Sequence, residues 1–142
     1  MYKKILIPLD HSFADKAILN HLRPLAKLIG AELLLVHVAD GYAARYQKQL
    51  NLEDSQEIKE DRAYLKECET ELKQEGFKVK AFLATGEPAN EILALAAKEN
   101  CDLIAMSTHG HRFIKDIILG SVAENIRHRT NIPILMIRAT ES

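Results

Sequence analysis

The sequence lacks several features that would assign it to a particular class of protein. Its two cysteines are not spaced as metal ligands, which fits a reducing compartment. No apolar run approaches the roughly 18 residues of a membrane span, and the first residues contain no signal-peptide core. The sequence has 19 Lys and Arg and 20 Asp and Glu, so it has no excess of basic residues that would indicate nucleic-acid binding. We therefore expect a cytoplasmic protein that binds neither membranes nor nucleic acid.

Common catalytic and phosphate-binding motifs are absent as well. No Gly-Lys-Ser/Thr follows a glycine-rich loop, and there is no G-x-G-x-x-G. No Ser/His/Asp or Cys/His set is supported, and no pair of carboxylates is placed for acid–base work. We interpret His37 as a hydrogen-bonded core histidine and His109 as a loop-ordering residue, while spacing identifies no partner for His11 or His21.

Short apolar runs alternate with amphipathic segments along all 142 residues. The apolar runs at 5–9, 33–38, 103–106 and 132–137, together with the alternation of apolar residues and lysine at 77–81, predict five strands. Helices are predicted between them, including one over 56–75. Residues 42–55 are interpreted as a longer connection. The alternation indicates an α/β fold with a doubly wound parallel sheet and helices on both faces. The whole chain, 1–142, forms a single domain in this prediction.

The stretch after the fourth predicted strand has features of an anion site. Ser107 to Gly110 form a turn of small residues, and Gly120 precedes Ser121-Val122-Ala123-Glu124, a capping box that predicts a helix start. Free N–H groups at such a start bind phosphate well. An ordinary loop with a C-cap glycine and an N-cap serine explains the same residues. The phosphate hypothesis requires the first and fourth strands to be neighbours.

These residues resemble the universal stress protein family over essentially the full length of the chain. The resemblance rests on 5–10, 35–38 and 86–88, and above all on Ser107-Thr108-His109-Gly110, nine residues, then Gly120-Ser121. It implies the strand order 3-2-1-4-5 and, in the ATP-binding branch, a bound adenine nucleotide. We expect ATP, or else AMP or ADP, together with Mg or Mn.

The resemblance also implies the residues of the site. These are Pro8, Leu9, Asp10, Val38, Ser107, Gly110, His111, Arg112, Gly120, Ser121 and Val122. In this reading Asp10 approaches the ribose or the phosphate–metal group, and the Val38 backbone reads the adenine edge. Backbone N–H groups of the glycines, Ser121 and Val122 hold phosphates.

Two features of that site leave alternatives open. Ser107 replaces the first glycine of the family's pattern, so we expect weakened or reshaped binding. His111 and Arg112 either lean over the phosphates or lie solvated on a loop.

The expected function is that of an ATP-binding stress-response or signalling module acting through a dimer and an unknown protein partner. A nucleotide-free interaction protein of the same family and a slow ATP hydrolase are the alternatives, and we expect at most weak ATPase activity. The dimer should form through the last strand, where Ile134 to Ile137 are all apolar, because an unguarded edge strand invites pairing. Lys78 and Lys80 protect the opposite edge.

Overall fold

Strands and helices alternate throughout the described chain. The structure is a computed structural model that describes residues 2–39, 56–108 and 114–139. Within these ranges the elements are β1 (Lys4–Pro8), α1 (Ala14–Ile29), β2 (Glu32–Ala39), α2 (Gln56–Gln74), β3 (Val79–Thr85), α3 (Pro88–Lys98), β4 (Leu103–Thr108), α4 (Ile114–Arg129) and β5 (Ile134–Arg138). The predicted connection over 42–55 lies outside the described residues.

The five strands form one parallel sheet in the order β3-β2-β1-β4-β5, which confirms the prediction. The first and fourth strands are neighbours, paired at Ile5 with Leu103, as a phosphate site at the reversal of winding requires. The three central strands are β2, β1 and β4. Their side chains are mostly buried on both faces, which explains why each reads as a continuous apolar run.

Alternate side chains of the central strands pack into two separate hydrophobic cores, one on each face of the sheet. Ile5, Ile7 and Leu35 pack with α1 and α2 on one face. Leu6 and Val36 pack with α3 and α4 on the other. Helices therefore cover both faces, and ligands of such a sheet bind beyond the carboxyl ends of its strands.

Three predicted boundaries are wrong. Ser107 and Thr108, predicted to lie in a turn, are the last residues of β4 and pair with Ile137 and Arg138. The third strand runs over Val79–Thr85 instead of 77–81, because pairing begins only at Leu33 with Val79 and continues to Ala39 with Thr85. The last helix begins at Ile114, so Gly120 and Ser121 lie inside it and do not open it. The Ser-x-x-Glu pattern is a local signal that also fits a helix interior, and here the residues before it are helical too.

Candidate functional site

A cleft opens at the carboxyl ends of β1 and β2, on the side covered by α3 and α4. Its volume is about 180 Å³. It is lined by Pro8, Leu9, Asp10, Val36, His37, Val38, Glu57, Pro88, Ile92 and Val122. Five of the predicted site residues, Pro8, Leu9, Asp10, Val38 and Val122, are thus brought together. The lining is largely apolar and includes two carboxylates, those of Asp10 and Glu57, a composition typical of small-molecule sites.

The cleft exists because β1 and β2 part at this end of the sheet. Their register ends at Pro8 with Val36, and the Leu9 N–H still donates to the Val36 carbonyl at 2.8 Å. Along a strand, alternate residues direct N–H and C=O to the same side. Val38 therefore directs both groups toward the side from which β1 has departed, which is where the cleft lies.

His37 accounts for this parting of the strands. In a continuing ladder the Leu9 carbonyl would accept the next bond, from the Val38 N–H. Within the described chain that carbonyl instead accepts a hydrogen bond from Nδ1 of His37, at 2.8 Å. The prediction that His37 is a hydrogen-bonded histidine is confirmed, and its partner is a main-chain atom of the cleft.

The loop that carries Asp10 is fixed by side chains from α1. Asp15, 2% exposed, accepts hydrogen bonds from the N–H groups of Asp10 at 3.1 Å and His11 at 2.9 Å. The hydroxyl of Ser12 donates to the Asp10 carboxylate and accepts the N–H of Ala14. His11 has φ 60°, a left-handed conformation that costs a non-glycine residue free energy. Surrounding contacts must therefore hold it.

Helix α2 supplies those contacts. The His11 ring stacks on Tyr64 with centroids 4.0 Å apart and planes at 17°, and its Nδ1 lies 2.8 Å from Oδ1 of Asp61. The Tyr64 hydroxyl donates to Oδ2 of Asp15 at 2.6 Å. Burial raises the pKa of Asp15 to about 6, with the Asp10 charge adding to the rise and the Tyr64 hydrogen bond opposing it. Burial and the Asp15 charge together raise the pKa of Tyr64.

Asp61 joins two histidines that are far apart in the sequence. Its Oδ1 faces His11, and its Oδ2 lies 3.2 Å from Nε2 of His37. Sequence reasoning missed this cluster, although one signal was present. The buried stripe of α2 runs Ile58, Asp61, Leu65, Cys68, Leu72, so Asp61 is a charged residue in a core position of the helix. A charge in such a position normally has a partner.

The other predicted site residues lie elsewhere or outside the described chain. Ser107 is completely buried in β4, on the α1 side of the sheet, and its hydroxyl has no hydrogen-bond partner among the described residues. Its side chain therefore does not narrow the cleft, which lies against the other face. Gly120 and Ser121 are in α4, where they directly precede Val122, a residue of the cleft lining. Gly110, His111 and Arg112 lie outside the described residues.

Two further properties bear on what the protein can bind. No group of three or more His, Cys, Asp or Glu side chains is arranged to hold a metal ion in the part of the chain that the structure describes. Among the same residues, no helix is both long and apolar enough to cross a membrane.

A doubly wound parallel sheet with a cleft beyond the carboxyl ends of its central strands defines an open α/β protein. Comparison with known families identifies which one. The model of the universal stress protein family matches residues 1–138, and the chain belongs to that family. Universal stress protein MJ0577 of Methanocaldococcus jannaschii is 33% identical over 159 aligned positions, covering 100% of this chain and 98% of the relative.

Solved structures share the fold. That of the hypothetical protein MJ0577 superposes with a TM-score of 0.80 at 34% identity, covering 100% of this chain and 99% of its own. A universal stress protein from Archaeoglobus fulgidus in complex with dAMP gives 0.70 at 21% identity, covering 96% and 98%. A universal stress protein in complex with cAMP gives 0.67 at 21%, covering 96% and 97%. At these lower identities the likeness concerns the fold.

Proposed function

We propose that this chain binds an adenine nucleotide, with ATP as the preferred form, in the cleft between β1 and β2. The observation that carries the proposal is the main-chain edge of Val38, which presents N–H and C=O together beside apolar walls. Adenine offers a ring acceptor next to an amino donor, the complementary pair. The complexes of related proteins with dAMP and cAMP support the assignment.

The phosphates of the nucleotide require a cation. Asp10 and Glu57 both line the cleft, and two carboxylates repel a triphosphate unless a positive charge lies between them. We therefore assign Asp10 to the ribose or to a phosphate-bound Mg²⁺ or Mn²⁺. Gly110, His111 and Arg112 follow β4 in the sequence, and the carboxyl end of β4 lies at the same edge of the sheet as the cleft, so we assign these residues to the phosphates.

The first experiment measures ATP binding by calorimetry with Mg²⁺, with Mn²⁺ and with EDTA. We expect ATP to bind more tightly with either metal, adenosine to be indifferent to metal, and GTP to bind at least tenfold more weakly than ATP. The GTP comparison tests the Val38 edge, because guanine carries an acceptor where adenine carries its amino donor. If ATP and adenosine both fail to bind, the protein belongs to the nucleotide-free branch.

Two variants locate the phosphates. Interior amides of a helix donate to the carbonyl four residues earlier, so Gly120 in α4 is placed less favourably than the family resemblance implies. Gly110→Val and Gly120→Val are compared for their ATP and adenosine affinities. A loss for ATP alone marks the glycine that adjoins phosphate, since a new side chain blocks main-chain approach. If neither variant weakens ATP binding, neither glycine adjoins a phosphate.

We further propose that the module acts through a homodimer formed by β5 and an unknown protein partner. β5 lies at an edge of the sheet, where Met136 is 48% exposed and Ile134, Leu135 and Ile137 are half-buried. The Ile104 N–H donates to the Pro133 carbonyl, so Leu135 directs its main-chain groups toward β4. Met136 consequently directs its N–H outward, toward a second copy.

The dimer is tested through that outward amide. Sedimentation at micromolar concentration should give twice the 16.0 kDa mass of one chain. Met136→Pro removes the outward N–H and should give monomer, whereas Met136→Leu keeps the N–H and should remain dimeric. A monomeric wild-type protein at this concentration contradicts the proposal.

A further inference from the structure

We propose that Asp61 is the positioning residue of the cleft, setting both the Val38 edge and the Asp10 loop through its two histidines. This inference rests on the proposed binding of an adenine nucleotide. Asp61 belongs to α2, does not line the cleft, and is 7% exposed. It acts on the site only through other residues.

The first route runs through His37. Its ring lies between two acceptors, the Leu9 carbonyl at Nδ1 and the Asp61 carboxylate at Nε2. A carbonyl only accepts, so Nδ1 carries a proton. Asp61 holds the opposite end of the ring and thereby fixes its direction toward Leu9. As long as the Leu9 carbonyl is taken by the ring, the Val38 N–H is available to a ligand.

The second route runs through His11. Its left-handed backbone conformation turns the chain between Asp10 and Ser12, and its ring is held by Asp61 on one atom and by Tyr64 on one face. Without Asp61 the ring keeps only the stacking contact. The strained turn then has less to stabilise it, and Asp10 loses its fixed place in the cleft lining.

The geometry makes a sharp distinction between two substitutions. In Asp61→Asn the side-chain oxygen can accept from His11 while the amide group donates to Nε2 of His37, whose Nδ1 still donates to Leu9. Both hydrogen bonds survive, so the cleft should survive. Asp61→Ala removes both bonds and leaves a small cavity. A role for the negative charge itself would instead show the same loss in both variants.

The experiment compares adenosine and Mg-ATP affinities of the wild type, Asp61→Asn, Asp61→Ala and Arg23→Ala. Arg23 of α1 pairs with Glu71 near the end of α2 and with Glu75 just beyond it, so its substitution loosens the same two helices away from the cleft. We expect Asp61→Ala to weaken both ligands about tenfold or more, as for loss of a buried hydrogen bond. Asp61→Asn should remain within about threefold of wild type, and Arg23→Ala should be unchanged.

A second readout does not depend on nucleotide. Nitrogen-15 spectra of the His37 ring report whether each ring nitrogen carries a proton, and amide shifts report the state of Leu9 to His11. In ligand-free wild type and Asp61→Asn, Nδ1 should be protonated; in Asp61→Ala this preference and the amide shifts should change. If Asp61→Ala does not fold, His37→Leu replaces it in the affinity comparison, because it also frees the Leu9 carbonyl for the Val38 N–H, and the amide shifts of Leu9 to His11 are then the spectral readout.

The outcomes separate this inference from the proposed function. Wild type that binds no nucleotide refutes the proposed function, while the ring and amide spectra still judge whether Asp61 positions the loop. Unchanged spectra in Asp61→Ala, unchanged affinity in it, or an equal loss in Arg23→Ala would each overturn the inference. Loss in Asp61→Ala with recovery in Asp61→Asn supports it.

Discussion

The buried carboxylate of Asp15 should make the stability of the protein depend on pH in an unusual direction. Its pKa of about 6 in the folded protein exceeds the ordinary 3.8, chiefly because burial disfavours the charged form. The folded state therefore holds the proton over a pH range in which the unfolded chain has released it. The contribution of Asp15 to the free energy of unfolding therefore falls as the pH rises from about 4 to above 6, and the full destabilisation is present at pH 7.

The size of the effect follows from the two pKa values. Their separation corresponds to on the order of 3 kcal/mol of unfolding free energy at pH 7, of which about 2 kcal/mol is recovered by pH 4.5. Asp15→Asn supplies the reference, since the amide does not titrate there. Other ionisable groups affect both proteins, so the difference between them isolates Asp15.

The assay is urea unfolding of both proteins at several values between pH 4.5 and 7, in metal-free buffer. We expect the stability of wild type relative to Asp15→Asn to increase as the pH is lowered, with the steepest change near pH 5. The variant also loses part of the acceptor set for the Asp10 and His11 amides, which lowers its stability equally at every pH. A difference that stays constant across this range, or that changes in the opposite sense, would refute the reasoning.

Three further predictions follow from the described structure. Glu87→Ala removes the side chain that accepts the Ala89 and Asn90 N–H groups at the start of α3, so urea unfolding should show a loss of about 1 kcal/mol; no loss would mean that water replaces the cap. Burial raises the pKa of the Cys68 and Cys101 thiols, that of Cys101 to about 11, so both should react slowly with a disulfide reagent at pH 8 until urea is added. Rapid reaction of the native protein would contradict this burial. Finally, ATP turnover followed by phosphate release should stay well below about 1 s⁻¹, and a higher rate abolished by Asp10→Asn would make the protein an enzyme.

The sheet could be predicted from the sequence because its central strands are buried on both sides. Continuous apolar runs such as 33–36 have few alternative explanations, and the family resemblance then supplied their order. The edge strand β3 was harder, since Lys78 and Lys80 alternate with apolar residues while 82–84 do not. Its end is set by pairing with β2, which no local pattern records.

Only those residues of the candidate site that lie at or directly after the end of a predicted strand could be predicted from the sequence. Pro8, Leu9 and Asp10 follow directly from the end of a buried strand, and Val38 follows from the next one. His11, His37 and Asp61 come from three elements and meet only after folding, so their cluster leaves no motif. The predicted start of α4 was wrong because a capping box is a pattern of four residues. Whether those residues open a helix or lie inside one depends on the longer segment around them.

The position of Val38 has a consequence for how this protein can diversify. In the proposed site, a ligand edge matched by main-chain groups places almost no demand on the side chain at that position, so residue 38 could vary without changing the base bound there. The sequence requirement applies instead to the residues that keep β1 and β2 apart. These include His37, which is adjacent to Val38, and Asp61 of α2. Redesigning base preference would therefore require altering the separation of two strands, and exchanging cleft side chains alone should leave it in place.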